Sequence, residues 1–188
     1  TKWKFIAAAA VAVTAVGGTA AWAAADDAGT EASDYVDGLD AVTDDFTDHA
    51  RELGGPLCDG CDNSDNTDLV VMWQAILVTD GFLATEDPMD GYFGPDTKRA
   101  TAMWQDEFGV EQTGEVDADT WAEASSHLTQ TGDTVYYAKD GAGETRFTRH
   151  DDGTYTLNKV LIPGKSELVN EGGERIEFYT RTVELVEV

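Results

Sequence analysis

The residues best suited to chemistry sit in one short stretch, Asp90-Gly91-Tyr92-Phe93-Gly94, followed by Pro95-Asp96-Thr97. Asp90-Gly91 is a turn signal, in which the aspartate bonds its own backbone and the glycine accepts positive φ. Tyr92, an aromatic flanked by glycines, is expected at the surface, where its ring can stack on a sugar or a peptide. Phe93 is expected to pack inward, and Gly94 to let the backbone come close to something. Pro95 suits the first position of a helix, which puts the Thr97 hydroxyl on the first turn beside unpaired backbone N–H groups. Those N–H groups are a ready site for a carboxylate. The candidate ligand-binding set is therefore Asp90, Gly91, Tyr92, Phe93, Gly94 and Thr97, joined by Gln105. The amides of Gln105 and Gln74 can each hydrogen-bond loop backbone or ligand. The competing reading is that Asp90 and Gly94 merely build a tight turn and a capped helix.

Two similar segments must position that stretch, Val70-x-x-Trp73-Gln74-x-x-Leu77 and Ala100-x-x-x-Trp104-Gln105, about thirty residues apart. Leu69, Trp73, Ile76 and Leu77 recur at three- and four-residue spacing, as do Ala100, Met103, Trp104 and Phe108, which predicts two amphipathic helices facing a shared core. Thr67 is the expected N-cap of the first, Asp68 its first-turn acid, and Gly81 lies past its end. The second begins at Pro95 and closes at Gly109. Asp117 is the expected N-cap of a third short helix carrying Trp121. Trp73, Trp104 and Trp121 read as core residues before they read as ligand platforms.

These motifs fall in register with a known pattern. The order Val-x-x-Trp-Gln-x-x-Leu, Gly81, Asp-Gly-x-Phe-Gly-Pro-x-Thr, Ala-x-x-x-Trp-Gln, Gly109-Val110, Thr113-Gly114-x-Val116-Asp117, Thr120-Trp121 resembles the three-helix peptidoglycan-binding domain appended to bacterial cell-wall hydrolases. Trp73 and Trp104 stand where that family more often has Leu or Phe. The resemblance covers residues 67–128 and implies a compact three-helix unit with peptidoglycan as its partner.

Composition limits the rest. The chain has 188 residues, 37 acidic against 12 basic side chains and a formal net charge of −25. That balance argues against nucleic acid, whose phosphates need Lys and Arg, and against anionic lipid surfaces. Residues 1–25 read as a secretory signal peptide: Lys2 and Lys4, an apolar centre, then Ala21-Trp22-Ala23-Ala24-Ala25 as an Ala-x-Ala-like cleavage site. A retained membrane anchor is the alternative, for which the apolar run is short. The expected localisation is secreted, at the cell wall, with no membrane contact after cleavage.

Residues 26–66 are expected to hold a polar lead-in, an amphipathic helix over about 33–53 and a cysteine loop. That helix could dock on its own chain, pair with a second copy or act as a spacer, of which docking is favoured. His49 reads as a residue at the boundary of its apolar stripe. Cys58 and Cys61 are expected to form a local disulfide, since an exported chain meets oxidising surroundings. A zinc site would need two further ligands, and the neighbouring Asp59, Asp62, Asp65 and Asp68 lack the Gly and closing Glu of an EF-hand, so no metal is assigned. No cofactor is implied.

Residues 129–188 are expected to form a small antiparallel β module. Residues 129–133 read as a polar linker, then 134–138, 145–150, 154–162, 167–170 and 174–188 as strands, with Asp140-Gly141, Asp152-Gly153 and Gly172-Gly173 as turns. Its basic residues fit either contact with acidic wall polymers or interstrand charge pairing.

The fold class expected is α+β: a three-helix unit preceded by an amphipathic helix and followed by an antiparallel sheet. No catalytic residues are assigned, because the cysteines are expected to be bonded to each other, the three histidines are dispersed and the sheet is too small for an ordinary cleft. The function expected is a secreted, non-catalytic peptidoglycan-binding protein. The alternatives are a small wall hydrolase whose catalytic part is the β module, and a wall-localised regulator or inhibitor that meets a protein partner through that module.

Overall fold

The computed structural model describes residues 46, 49, 52–84, 89–138, 143–162, 164–165 and 167–188. The signal peptide expected over 1–25, most of the helix expected over 33–53 and the Asp140-Gly141 turn lie outside the described residues.

Three helices carry the first half: α1 (Asp68–Thr79), α2 (Pro95–Phe108) and α3 (Ala118–Ser126). Their caps are those the sequence predicts. Thr67 accepts the Val70 N–H at 3.2 Å, and Asp117 accepts the Thr120 N–H at 2.9 Å. Pro95 opens α2, and Gly109 ends it in the left-handed region at φ 74.

The three tryptophans are core. Trp73 meets Trp104 and Trp121 edge-on, at 5.3 and 5.4 Å between ring centroids, and all three are fully buried. Edge-to-face pairs of this kind add to the area they bury. Met103 departs from the expectation: it is 52% exposed, and the buried stripe of α2 runs through Thr97, Ala100, Thr101, Trp104 and Gln105.

The stripe expected on α1 is wider than predicted, because all twelve of its residues are buried. The reason lies beyond the helical unit. Strands β3 and β4 pack on α1 in addition to α2, so the near-continuous run Leu69 to Val78 has no face left for water. One hydrophobic cluster runs from Leu69 and Trp73 through Phe147, Leu157 and Val160 to Phe178 and Val183.

The sheet is a six-stranded antiparallel meander in chain order: β1 (Leu128–Thr131), β2 (Thr134–Ala138), β3 (Glu144–Arg149), β4 (Tyr155–Leu161), β5 (Glu167–Asn170) and β6 (Leu185–Glu187). Val135, Phe147 and Leu157 form one inward row, and Tyr137, Thr145 and Val160 the next. The expected linker is corrected: residues 128–131 pair with β2 around a Gly132-Asp133 turn whose Gly132 has φ 65. An edge strand of Thr and Gln has no apolar alternation to reveal it. Three basic side chains of the β module are paired with acids, Arg146 with Glu144, Lys159 with Glu167 at 3.1 Å and Arg175 with Asp152 at 2.5 Å.

The last expected strand is also shortened, since only 185–187 join the sheet beyond a single bridge from Thr156 to Arg175. Between them the chain detours to Asp68. The buried Asp68 carboxylate accepts the backbone N–H groups of Glu177, Thr182 and Val183 at 3.1, 2.7 and 2.8 Å and the Thr182 hydroxyl at 2.7 Å. Its own N–H donates to the Thr180 carbonyl at 3.1 Å. Hydrogen bonds to an ionised acceptor are stronger than ladder bonds between neutral groups, which favours the detour over a longer strand.

Upstream, Phe46, His49 and Glu52 are helical and buried. Phe46 packs on Trp121 at 5.6 Å and Phe147 at 6.0 Å, so this element docks on its own chain across both halves. His49 is not a boundary residue: it is fully enclosed, 4.9 Å from Trp121 and 6.1 Å from Phe178. Cys58 and Cys61 are bonded to each other, and Leu57 ties their loop to Val116 through reciprocal backbone bonds of 3.1 and 2.9 Å.

Candidate functional site

The site grows from Gln74, which is 2% exposed and faces the Asp90–Gly94 stretch. Its Oε1 accepts the Gly91 N–H at 3.0 Å. Its Nε2 donates to the Asp90 carboxylate at 3.1 Å, the Tyr92 carbonyl at 3.1 Å and the Thr97 hydroxyl at 3.3 Å. One amide thus fixes the loop and the first turn of α2 together. Asp90 Oδ1 also accepts the Tyr92 N–H at 3.0 Å, the self-bonded turn expected of Asp-Gly.

The two glycines have different reasons. Gly91 has φ 73, and a Cβ there would stand 2.7 Å from the Thr67 carbonyl oxygen, so both conformation and contact exclude a side chain. At Gly94 a Cβ would stand 2.8 Å from Tyr92 Cε1, so the close approach expected there is that of the Tyr92 ring. Phe93 is fully buried, as expected, and serves the loop from inside, whereas Tyr92 is 47% exposed.

A solvent-open groove of about 160 Å³ lies against this loop. Its buried lining is Gln74, Leu83, Gly94 and Thr97; Tyr92, Pro95 and Asp96 are exposed and Asp90 is half-buried. Gly94, the N-cap residue of α2, has no side chain to bond the first-turn N–H groups. The groove therefore combines an aromatic face, uncapped backbone donors at the positive end of a helix, and two carboxylates. Asp96 is paired to Arg99 at 2.9 Å. A polar ligand bearing both hydroxyl or amine donors and an acceptor group matches this lining, and its size suits one residue or sugar edge.

Of the predicted residues, the structure brings Asp90, Tyr92, Gly94 and Thr97 to the groove, with Gly91 and Phe93 behind it. It does not bring Gln105. That residue is fully buried, and its amide is used up on Gly114 N–H (2.8 Å), the Thr113 hydroxyl (3.1 Å), the Glu115 carbonyl (2.8 Å) and the Thr120 hydroxyl (2.9 Å). Sequence reasoning passed over Leu83, Pro95 and Asp96 as lining and left Gln74 outside the candidate set. The signal for Gln74 was present in its place after Trp73. Among the described residues no group of three or more His, Cys, Asp or Glu side chains is arranged to hold a metal ion.

Neither a curated protein nor a solved structure matches the chain significantly. The model of the family described as a putative peptidoglycan binding domain matches residues 66–123, less than half of the chain. That span runs from the residue before the Thr67 cap to the middle of α3 and contains both Trp-Gln pairs and the whole groove loop. Over residues 66–123, then, the chain is similar to this peptidoglycan-binding family.

Proposed function

We propose that the chain is an exported, cell-wall-associated protein that holds peptidoglycan in the groove between Gln74 and the start of α2, without cleaving it. The observation that carries this reading is an open groove, walled by an exposed Tyr92 and by uncapped helix N–H groups, within the residues similar to the peptidoglycan-binding family. The core covers the inner face of this loop at Gly91 and Phe93 and leaves its groove face open. Both cysteines are bonded to each other, so they offer no thiol nucleophile. Among the described residues no helix is long and apolar enough to cross a membrane. The net charge of −25 disfavours nucleic acid as a competing partner.

The test is cosedimentation of the full chain with insoluble peptidoglycan at low and moderate salt. Wild type is expected in the pellet at both, and Tyr92→Ala is expected to weaken binding about three- to tenfold through the lost stacking face. A chain that stays in the supernatant at low salt would remove the ligand from this account. Loss of turbidity from a wall suspension on adding the chain would overturn its non-catalytic part.

A further inference from the structure

The groove is acidic on its own. Asp90 and Asp96 line it and no cation does, so it lacks a charge to receive the carboxylates that peptide stems carry. Arg99 at its rim is already held by Asp96 at 2.9 Å, and a cation without such a partner comes from the C-terminal segment. Thr180 and Thr182, on either side of Arg181, are both tied to Asp68 at the first turn of α1. The adjacent Thr67 N–H donates to the Gly91 carbonyl at 3.0 Å, so the groove loop and the C-terminal segment rest on neighbouring residues. Arg181 consequently lies against the loop: a Cβ on Gly91 would come within 3.2 Å of Arg181 Cδ. Gly91 lies behind the groove, between Asp90 and Tyr92, two of the residues that line it, and the guanidinium is two bonds beyond Cδ, within reach of the rim.

Arg181 is exposed and makes no ion pair or side-chain hydrogen bond among the described residues. Arg146, Lys159 and Arg175 of the same module each hold an acid. In a chain of net charge −25, a guanidinium whose stem rests against the groove loop and which has no partner among the described residues is a group kept available. Its planar fork receives a carboxylate through two parallel hydrogen bonds, which an ammonium cannot reproduce.

We propose that Arg181 is the specificity-determining residue of the groove, receiving a free carboxylate on the peptide stem and so selecting free-acid over amidated stems. This rests on the groove being the peptidoglycan site. It also gives the β module a part in recognition, because the residue that reads the ligand's charge is supplied from outside residues 66–123.

The experiment is cosedimentation of the full chain with peptidoglycan whose stem carboxylates are free and with the same material after chemical amidation. Wild type is expected to bind the free acid about tenfold more tightly than the amide. Arg181→Gln is expected to bind the free acid no better than wild type binds the amide, and to be unchanged on the amide. Arg181→Lys, which keeps the charge and loses the fork, is expected between them. Lys98→Gln, which removes a cation resting on Gly114 of the other glycine loop, is expected to change neither. Unaltered melting of Arg181→Gln excludes a folding defect, and should that variant melt early, the acid-to-amide ratio of Arg181→Lys decides in its place, an unreduced ratio overturning the role of the fork. Equal wild-type binding to acid and amide overturns the role of Arg181 while leaving the groove as the wall site. Absence of wild-type binding to both overturns the groove reading and this inference with it.

Discussion

Gln74 holds Gly91 and Gln105 holds Gly114 through the same four kinds of contact. In each loop Oε1 accepts the glycine N–H, and Nε2 donates to the side chain before the glycine, the carbonyl after it and a threonine hydroxyl six positions on. Phe93 and Val116, two residues beyond each glycine, are both fully buried. Two of the differences between the loops matter for a ligand. Where the first has Tyr92 the second has Glu115, and where the first has Gly94 as N-cap the second has Asp117, whose carboxylate fills the first turn of α3. A single framework therefore yields one helix start closed by its own acid and one left open beside an aromatic ring. Only the first loop thus offers free helix N–H groups beside an aromatic face, which is what the proposed site requires.

The largest effect should come from breaking the framework itself. Gln74→Leu and Gln105→Leu each strand a buried glycine N–H, which predicts a loss of about 1–3 kcal/mol in either case. The two should separate on peptidoglycan: at temperatures where both remain folded, Gln74→Leu loses binding and Gln105→Leu keeps it. Denaturant unfolding and cosedimentation of the pair check this, and equal binding by both would dissolve the distinction between the loops.

Next in size is the exchange of caps. Gly94→Asp copies Asp117 into the first loop, displaces the Tyr92 ring and occupies the free N–H groups, so binding should fall at least tenfold. Stability should change by no more than about 1 kcal/mol, since the gain of a cap offsets the displaced ring. Asp117→Ala should cost about 1 kcal/mol and create no new wall affinity, because Glu115 offers no stacking face. Thermal melting and pelleting of the two variants test both halves.

The smallest effect concerns the tryptophans of the two segments. Trp73 Nε1 donates to a neutral hydroxyl, Thr101, at 2.9 Å, while Trp104 Nε1 donates to the Asp80 carboxylate at 2.8 Å. Asp80 also accepts the Tyr137 hydroxyl at 2.6 Å. Burial, and then the Asp80 charge, hold the Tyr137 phenol far above its ordinary 10.0. A raised folded value means that this contribution is complete below pH about 10 and declines above it, where only the unfolded chain ionises. Alkaline unfolding followed by phenolate absorbance should show Tyr137 ionising together with the loss of structure. Tyr137→Phe should flatten the dependence above pH 10, and an unchanged slope would sever Tyr137 from alkaline stability.

The parts of this design that were legible in the sequence are local ones. Thr67, Pro95, Gly109 and Asp117 act within four residues of themselves, and Asp90-Gly91 bonds itself, so spacing alone reports them. Gln74 and Gln105 look alike in sequence, and only the neighbours at Gly94 and Asp117 decide which loop stays open. The enclosure of α1 was readable in composition, as an apolar run too continuous for one stripe, but what covers the rest of it is a sheet that begins fifty residues later. Asp68 was legible as a first-turn acid and illegible as a clasp, since its acceptors' partners are backbone N–H groups over a hundred positions away, which carry no sequence signature. The same distance hid Arg181. Strand β1, polar and at an edge, offered no alternation to read.

The full enclosure of α1 bears on how this domain can be handled as a module. A fragment trimmed to the family boundaries, 66–123, would turn Val71, Ala75 and Val78 and their neighbours toward solvent and would leave Asp68 charged with its backbone donors gone. Such a piece is expected to be sticky and poorly behaved when expressed alone. Transplanting this unit onto another protein would mean carrying the sheet along as its coat.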